Sequence, residues 1–206
     1  MRTTLITCAA LIALVSVASA ETRNIADFTG VSAADRIRVE VATGEGYRVE
    51  VVGSEANKVS TRVDRDGTLV IRRTNRPFWG GTPAIDATVR VTMPHVENLA
   101  SSRGAELSAT NVTADEMALA ASMGGELRVS GVCQTLHAAV SMGGTIRAEE
   151  FQCRDANVAA SMGGDARVFA SNRFDAAASM GGAVNVAGGG RGDDIATSMG
   201  GSVDSN

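Results

Sequence analysis

The tetrapeptide Ser-Met-Gly-Gly occurs five times, starting at Ser122, Ser141, Ser161, Ser179 and Ser198, at spacings of 19, 20, 18 and 19 residues. A degenerate copy, Ser-Arg-Gly-Ala, starts at Ser102. This period constrains the fold more than any other feature. Helical repeats usually run to about 33 residues or more, and propeller blades to about 40. A unit near 19 residues suits one coil of a parallel β-solenoid, and six copies predict about six turns.

Within each unit the hydropathy alternates with period two, the signature of a half-buried strand. Three positions before the repeat serine stand Leu99, Leu119, Ala138, Val158, Ala176 and Ile195; five after it stand Leu107, Leu127, Ile146, Ala166, Val184 and Val203. These odd offsets are expected to face the interior. Met123, Met142, Met162, Met180 and Met199 also fall at an odd offset, so the same phase predicts an internal methionine ladder filling a core of small residues. The competing reading of five stacked thioethers is a soft-metal site; phase favours the core, and no metal or cofactor is assigned.

Cys133 lies eight residues before Ser141, and Cys153 eight before Ser161. Equivalent positions on adjacent rungs sit about 4.8 Å apart, within the Cα separation a disulfide accepts. A Cys133–Cys153 bridge between coils is therefore predicted.

The third cysteine, Cys8, lies in residues 1–20. There Met1-Arg2 precedes an apolar run from Leu5 to Val17 and a small-x-small site at Ala18–Ala20. That is the pattern of a secretory signal peptide cleaved after Ala20, and it places the remainder in the periplasm or outside the cell, where disulfides persist. No later apolar stretch is long enough to span a bilayer as a helix. The formal charge of −4 and pI near 5.2 argue against nucleic-acid binding. Aromatics at 3% argue against a carbohydrate module built on stacked rings.

The organisation that follows is a leader over 1–20, an N-terminal β cap region over 21–94 and solenoid repeats over 95–206, the last two forming one continuous domain. In the cap region, Arg36–Thr43, Tyr47–Gly53, Lys58–Asp64, Thr68–Arg73 and Ala84–Met93 read as strands. Asp66-Gly67 between two of them signals a hairpin. The segment Thr74–Pro83 holds the single Trp, and Phe78 and Trp79 form a candidate contact loop whose blander reading is apolar packing against the cap.

The order of these segments resembles that of the auto-transporter adhesin head GIN domain family of exported bacterial proteins. The resemblance rests on Phe28-Thr29-Gly30-Val31 as an entry motif, the strand series through Asp66–Arg73, Val91-Thr92-Met93-Pro94 before the repeats, and small-residue turns where this chain has Ser-Met-Gly-Gly. It covers roughly Asp27 to Val203. It implies a right-handed β-solenoid, an adhesin-like role and no established catalytic residues.

The residues themselves offer no catalytic constellation. His95 and His137 are isolated, and Gly188–Gly192 lacks the ending of a phosphate loop. The outward columns are the better candidates. Arg128, Arg147 and Arg167 stack on successive coils as a possible binding strip, with Glu126 and Asp165 two residues before the first and last. Ala100, Ala120, Ala139, Ala159, Ala177 and Ala196 form a flat small-residue wall suited to a second copy of the chain. The reading is an exported, non-enzymatic envelope protein, an interaction scaffold or adhesin-like head whose partner is itself or an envelope polymer. The alternative is a β-helix enzyme that binds or degrades envelope glycans.

Overall fold

A computed structural model describes residues 20–75 and 83–206. Residues 1–19 of the predicted leader and the candidate contact residues Phe78 and Trp79 lie outside the described residues.

The chain is all-β. Seven strands occupy the first half: β1 (Ala20–Arg23), β2 (Gly30–Ala33), β3 (Arg38–Thr43), β4 (Arg48–Val52), β5 (Val59–Val63), β6 (Thr68–Arg73) and β7 (Thr88–Met93). The repeats supply β8 (Asn98–Ser102), β9 (Glu106–Ser122), β10 (Glu126–Val140), β11 (Thr145–Ala160), β12 (Asp165–Ala178), β13 (Ala183–Ala187), β14 (Arg191–Thr197) and β15 (Ser202–Ser205). From β8 onward every coil pairs in parallel with the coil before it. The fold is a β-solenoid of about five turns. The six serine-led corners expected to start six turns are its fence posts, and six corners enclose five complete coils.

The register is that of the repeat. Leu107, Leu127, Ile146, Ala166, Val184 and Val203 are consecutive partners across the coils, and the first five are buried. A second core column runs Met117, Leu136, Ala156, Phe174, mixing large and small side chains so that neighbouring layers interdigitate. Strands as long as β9 and β10 wrap two faces by bending partway. At the bend in β10, Gly131 has φ 136°, and a Cβ there would lie 2.0 Å from the Val112 carbonyl oxygen.

The cap is built differently from a separate layer. β2 lies between β6 and β8, and β3 lies between β7 and β9, all in parallel register. The early segment from Gly30 to Thr43 is therefore a rung inserted between rungs that follow it in sequence. Antiparallel strands close that end: β4 on β7, β1 on β4, and β5 on β6. Reversed strands stop the parallel ladder from continuing, which limits the edge open to other chains. The Asp66-Gly67 hairpin joins β5 and β6 as the sequence predicts, with Gly67 at φ 70° and the Asp64 carboxylate accepting the N–H groups of Asp66 and Thr68.

The internal methionine ladder does not exist. Met123, Met142, Met162 and Met180 are 45–48% exposed, and Met199 76%. The reason is local. Each Ser-Met-Gly-Gly is a tight turn: Met has φ of 45–48° and the first Gly φ of 69–77°, and the second Gly donates its N–H to the Ser carbonyl at 2.9 Å. Positive φ at both central residues defines a type I′ turn. Strand alternation stops at such a turn, so an odd offset no longer means inward. The five methionines do queue along one axis, on the outside of the corner.

Candidate functional site

Cys133 and Cys153 are register partners in β10 and β11 and form a disulfide, Cα to Cα 4.4 Å. Both are buried, and Ala114 and Ala170 occupy the equivalent positions on the flanking coils. The bridge lies inside the stack and is a fastener, not an accessible reactive pair.

The outward face of the first segment of each coil carries two parallel charged columns. One holds Arg38, Glu106, Glu126, Thr145 and Asp165; the other holds Arg90, Glu40, Ser108, Arg128, Arg147 and Arg167. The structure thus brings the predicted arginine strip into strict register. It also places a carboxylate against every member. Arg128 lies 2.6 Å from Glu126, Arg147 3.2 Å from the same Glu126, and Arg167 3.3 Å from Asp165. The pattern extends toward the cap, where Arg38 pairs with Glu106 and Arg90 with Glu40. The surface is a mixed-charge ladder rather than a bare cationic stripe. The guanidiniums are solvated while Glu126, shared by two of them, is partly buried, and each exposed pair contributes at most about 1 kcal/mol.

Beside the ladder lies an open groove of about 360 Å³, bordered by Ser108, Thr110, Arg128, Ser130, Arg147 and Glu149. One side carries Ser108, Arg128 and Arg147 on successive rungs, and the other carries Thr110, Ser130 and Glu149. This groove escapes a column-by-column reading because it lies between two outward columns; the signal for it is the hydroxyl pair Thr110 and Ser130, two residues beyond Ser108 and Arg128.

On another face, Ala100, Ala120, Ala139, Ala159, Ala177 and Ala196 are consecutive register partners, and all but the first are exposed. His137 faces outward and lies 3.3 Å from Glu116.

Two carboxylates have displaced proton affinities, and both are at the cap. Hydrogen bonding from Lys58, then from the Asp86 backbone, holds Glu55 below the ordinary carboxyl range. Hydrogen bonding from the Ser54 hydroxyl and backbone lowers Asp86. Ser54 donates its hydroxyl to Asp86 at 2.6 Å, and the Asp86 N–H donates to Glu55 at 3.0 Å, so the two carboxylates lock the turn after β4 to the approach to β7. Among the described residues, no group of three His, Cys, Asp or Glu is placed to hold a metal ion, and no helix is long and apolar enough to cross a membrane.

Fold and surface together define a capped β-solenoid that displays regular polar ladders. The chain belongs to the family described as "Putative auto-transporter adhesin, head GIN domain", whose profile matches residues 27–190. It is similar in structure to a putative adhesin from Bacteroides fragilis NCTC 9343, with a TM-score of 0.71 at 13% identity, covering 93% of this chain and 98% of that one. It is also similar to a putative lipid binding protein from Parabacteroides distasonis ATCC 8503 (TM-score 0.52, 16% identity, 93% and 97% covered). A putative adhesin from Parabacteroides merdae ATCC 43184 is comparable (TM-score 0.52, 14% identity, 93% and 97% covered). At these identities the likeness is one of fold. The comparison with curated proteins finds no match.

Proposed function

We propose that this chain is an exported, non-enzymatic interaction scaffold of the cell envelope, an adhesin-like head that holds a polar envelope polymer along the arginine ladder. The observation that carries the reading is the register of Arg128, Arg147 and Arg167 beside the hydroxyl-lined groove. Donors and acceptors recurring about every 4.8 Å suit a linear ligand that also repeats. The disulfide supports an extracytoplasmic site of action, in keeping with the leader-like residues 1–20.

The reading as a glycan-degrading enzyme gains no support from the displaced carboxylates. A general acid needs its proton affinity raised, whereas Glu55 and Asp86 are both pushed toward the ionised form.

The test is retention on immobilised acidic polysaccharide and on the native envelope fraction. Replacing Arg128, Arg147 and Arg167 together by Ser is expected to abolish retention while leaving the unfolding midpoint within the range of surface substitutions. Equal retention of the native and triple-Ser chains would remove the ladder as the binding surface.

A further inference from the structure

Five consecutive corners of the stack carry an exposed methionine in a conformation that methionine disfavours. Both glycines of each corner are explained by geometry. The first has positive φ, and the second lies against the backbone of the preceding coil: a Cβ on Gly144 would lie 2.7 Å from Ala121. Nothing of that kind explains the methionine. It fills no core, and its φ near 48° costs an ordinary L-residue about 1–2 kcal/mol. Asn, Asp or Gly is the usual occupant of such a turn position. The degenerate corner carries Arg103 at φ 50°, and the turn before β3 carries Asp35 at φ 65°, so the scaffold accepts polar residues there.

The identity of the side chain is held fixed where others drift. The core column beside it passes through Leu107, Leu127, Ile146, Ala166 and Val184. A requirement for apolarity alone would allow the same drift at the corner. The thioether is what all five corners keep.

The corners are also tied to each other. Gly124 donates its N–H to the Met142 carbonyl at 3.3 Å, Gly143 to Met162 at 3.2 Å, Gly163 to Met180 at 3.1 Å and Gly181 to Met199 at 3.2 Å. Neighbouring methionine backbones are therefore fixed one rung apart, about 4.8 Å. Their unbranched side chains have the freedom to bring adjacent sulfurs onto one ion. Neutral thioethers are soft donors that select Cu(I) and its soft analogue Ag(I) over harder cations.

We propose that the corner ridge of Met123, Met142, Met162, Met180 and Met199 binds monovalent soft metal ions, Cu(I) or Ag(I), through thioethers from adjacent coils. The site goes beyond the scaffold role and uses a different face from the arginine ladder.

The test uses the full chain with its disulfide intact and Cys8→Ser in every sample, so that no free thiol competes. Under anaerobic ascorbate the chain is titrated against the coloured Cu(I)–bicinchoninate complex. The native ridge is expected to withdraw at least one equivalent of Cu(I). M142L, M162L and M180L together keep the bulk and apolarity of the ridge and are expected to weaken binding at least about tenfold. Equal withdrawal by the native and triple-Leu chains, or none by either, overturns the proposal. A second measurement needs no methionine variant. In methyl-labelled native protein, Ag(I) is expected to shift the resonances of exposed methionines and leave those of buried Met93 and Met117 in place. Unmoved ridge signals at excess Ag(I) overturn it equally.

Discussion

Arg147 reaches back one coil to Glu126, 3.2 Å away, because its own coil has Thr145 where a carboxylate would stand. Glu126 consequently serves two arginines, Arg128 and Arg147. The ladder is stitched across coils as well as within them.

Glu126→Gln should therefore leave two guanidiniums without a carboxylate. The two guanidiniums are about half exposed, so the unfolding free energy is expected to fall by about 1 kcal/mol. Retention on an immobilised sulfated polymer is expected to rise at low salt and to converge with the native chain at high salt. Unchanged retention at low salt would show that the pairing does not govern the charge of this face.

The Cys133–Cys153 bridge closes a 20-residue separation. Chain-entropy arguments give about 3 kcal/mol for a loop of that size. Urea unfolding of the oxidised and reduced chain should differ by about that amount, with the reduced form less stable. The full chain, residues 1–206, unfolded without reductant should take up alkylating reagent at Cys8 alone.

Met142→Asn offers a stability test that a core methionine would fail. Truncating or polarising a buried methionine costs about 2–5 kcal/mol. On the exposed left-handed corner, asparagine relieves strain, and the expected change is a gain of about 0.5–1 kcal/mol. Gly144→Ala at the same corner should destabilise, since its Cβ meets the Ala121 backbone at 2.7 Å. Thermal midpoints of the two variants should move in opposite directions.

The cap should loosen in acid. Glu55 and Asp86 have folded proton affinities below their ordinary values of 4.5 and 3.8. Groups lowered on folding stabilise the fold above their unfolded values, and that contribution is lost as pH falls through the folded ones. Stability is expected to decline as pH drops below about 4.5, and Glu55→Gln with Asp86→Asn should flatten the decline. Hydrogen exchange at the turn after β4 and the approach to β7 should report the loss first; a uniform change across the stack would count against a local origin.

The repeat made much of this readable. Cys133 and Cys153 could be paired from the sequence because equal offsets in successive units become neighbours in space, and the arginine column followed by the same logic. The methionines misled because alternation holds only while the backbone is extended; the glycines after each methionine were the available warning of a turn with positive φ. The placement of β2 and β3 had no local signature. Nothing in Gly30–Thr43 reveals that its partners lie on either side of it in later sequence, since parallel pairing leaves no mark at the turn. The groove beside Arg128 depends on how outward columns face one another, which a single strand does not record.

The inserted rung also orders events in time. A chain synthesised from its N-terminus presents Gly30–Thr43 before Thr68–Met93 or Asn98–Ser108 exist to flank it. Such non-local pairings form slowly and leave sticky edges exposed meanwhile. The first rung must wait, unpaired on both sides, until the downstream neighbours arrive. That rung is therefore closed on both sides only after later segments are made, although it is itself among the first to be made.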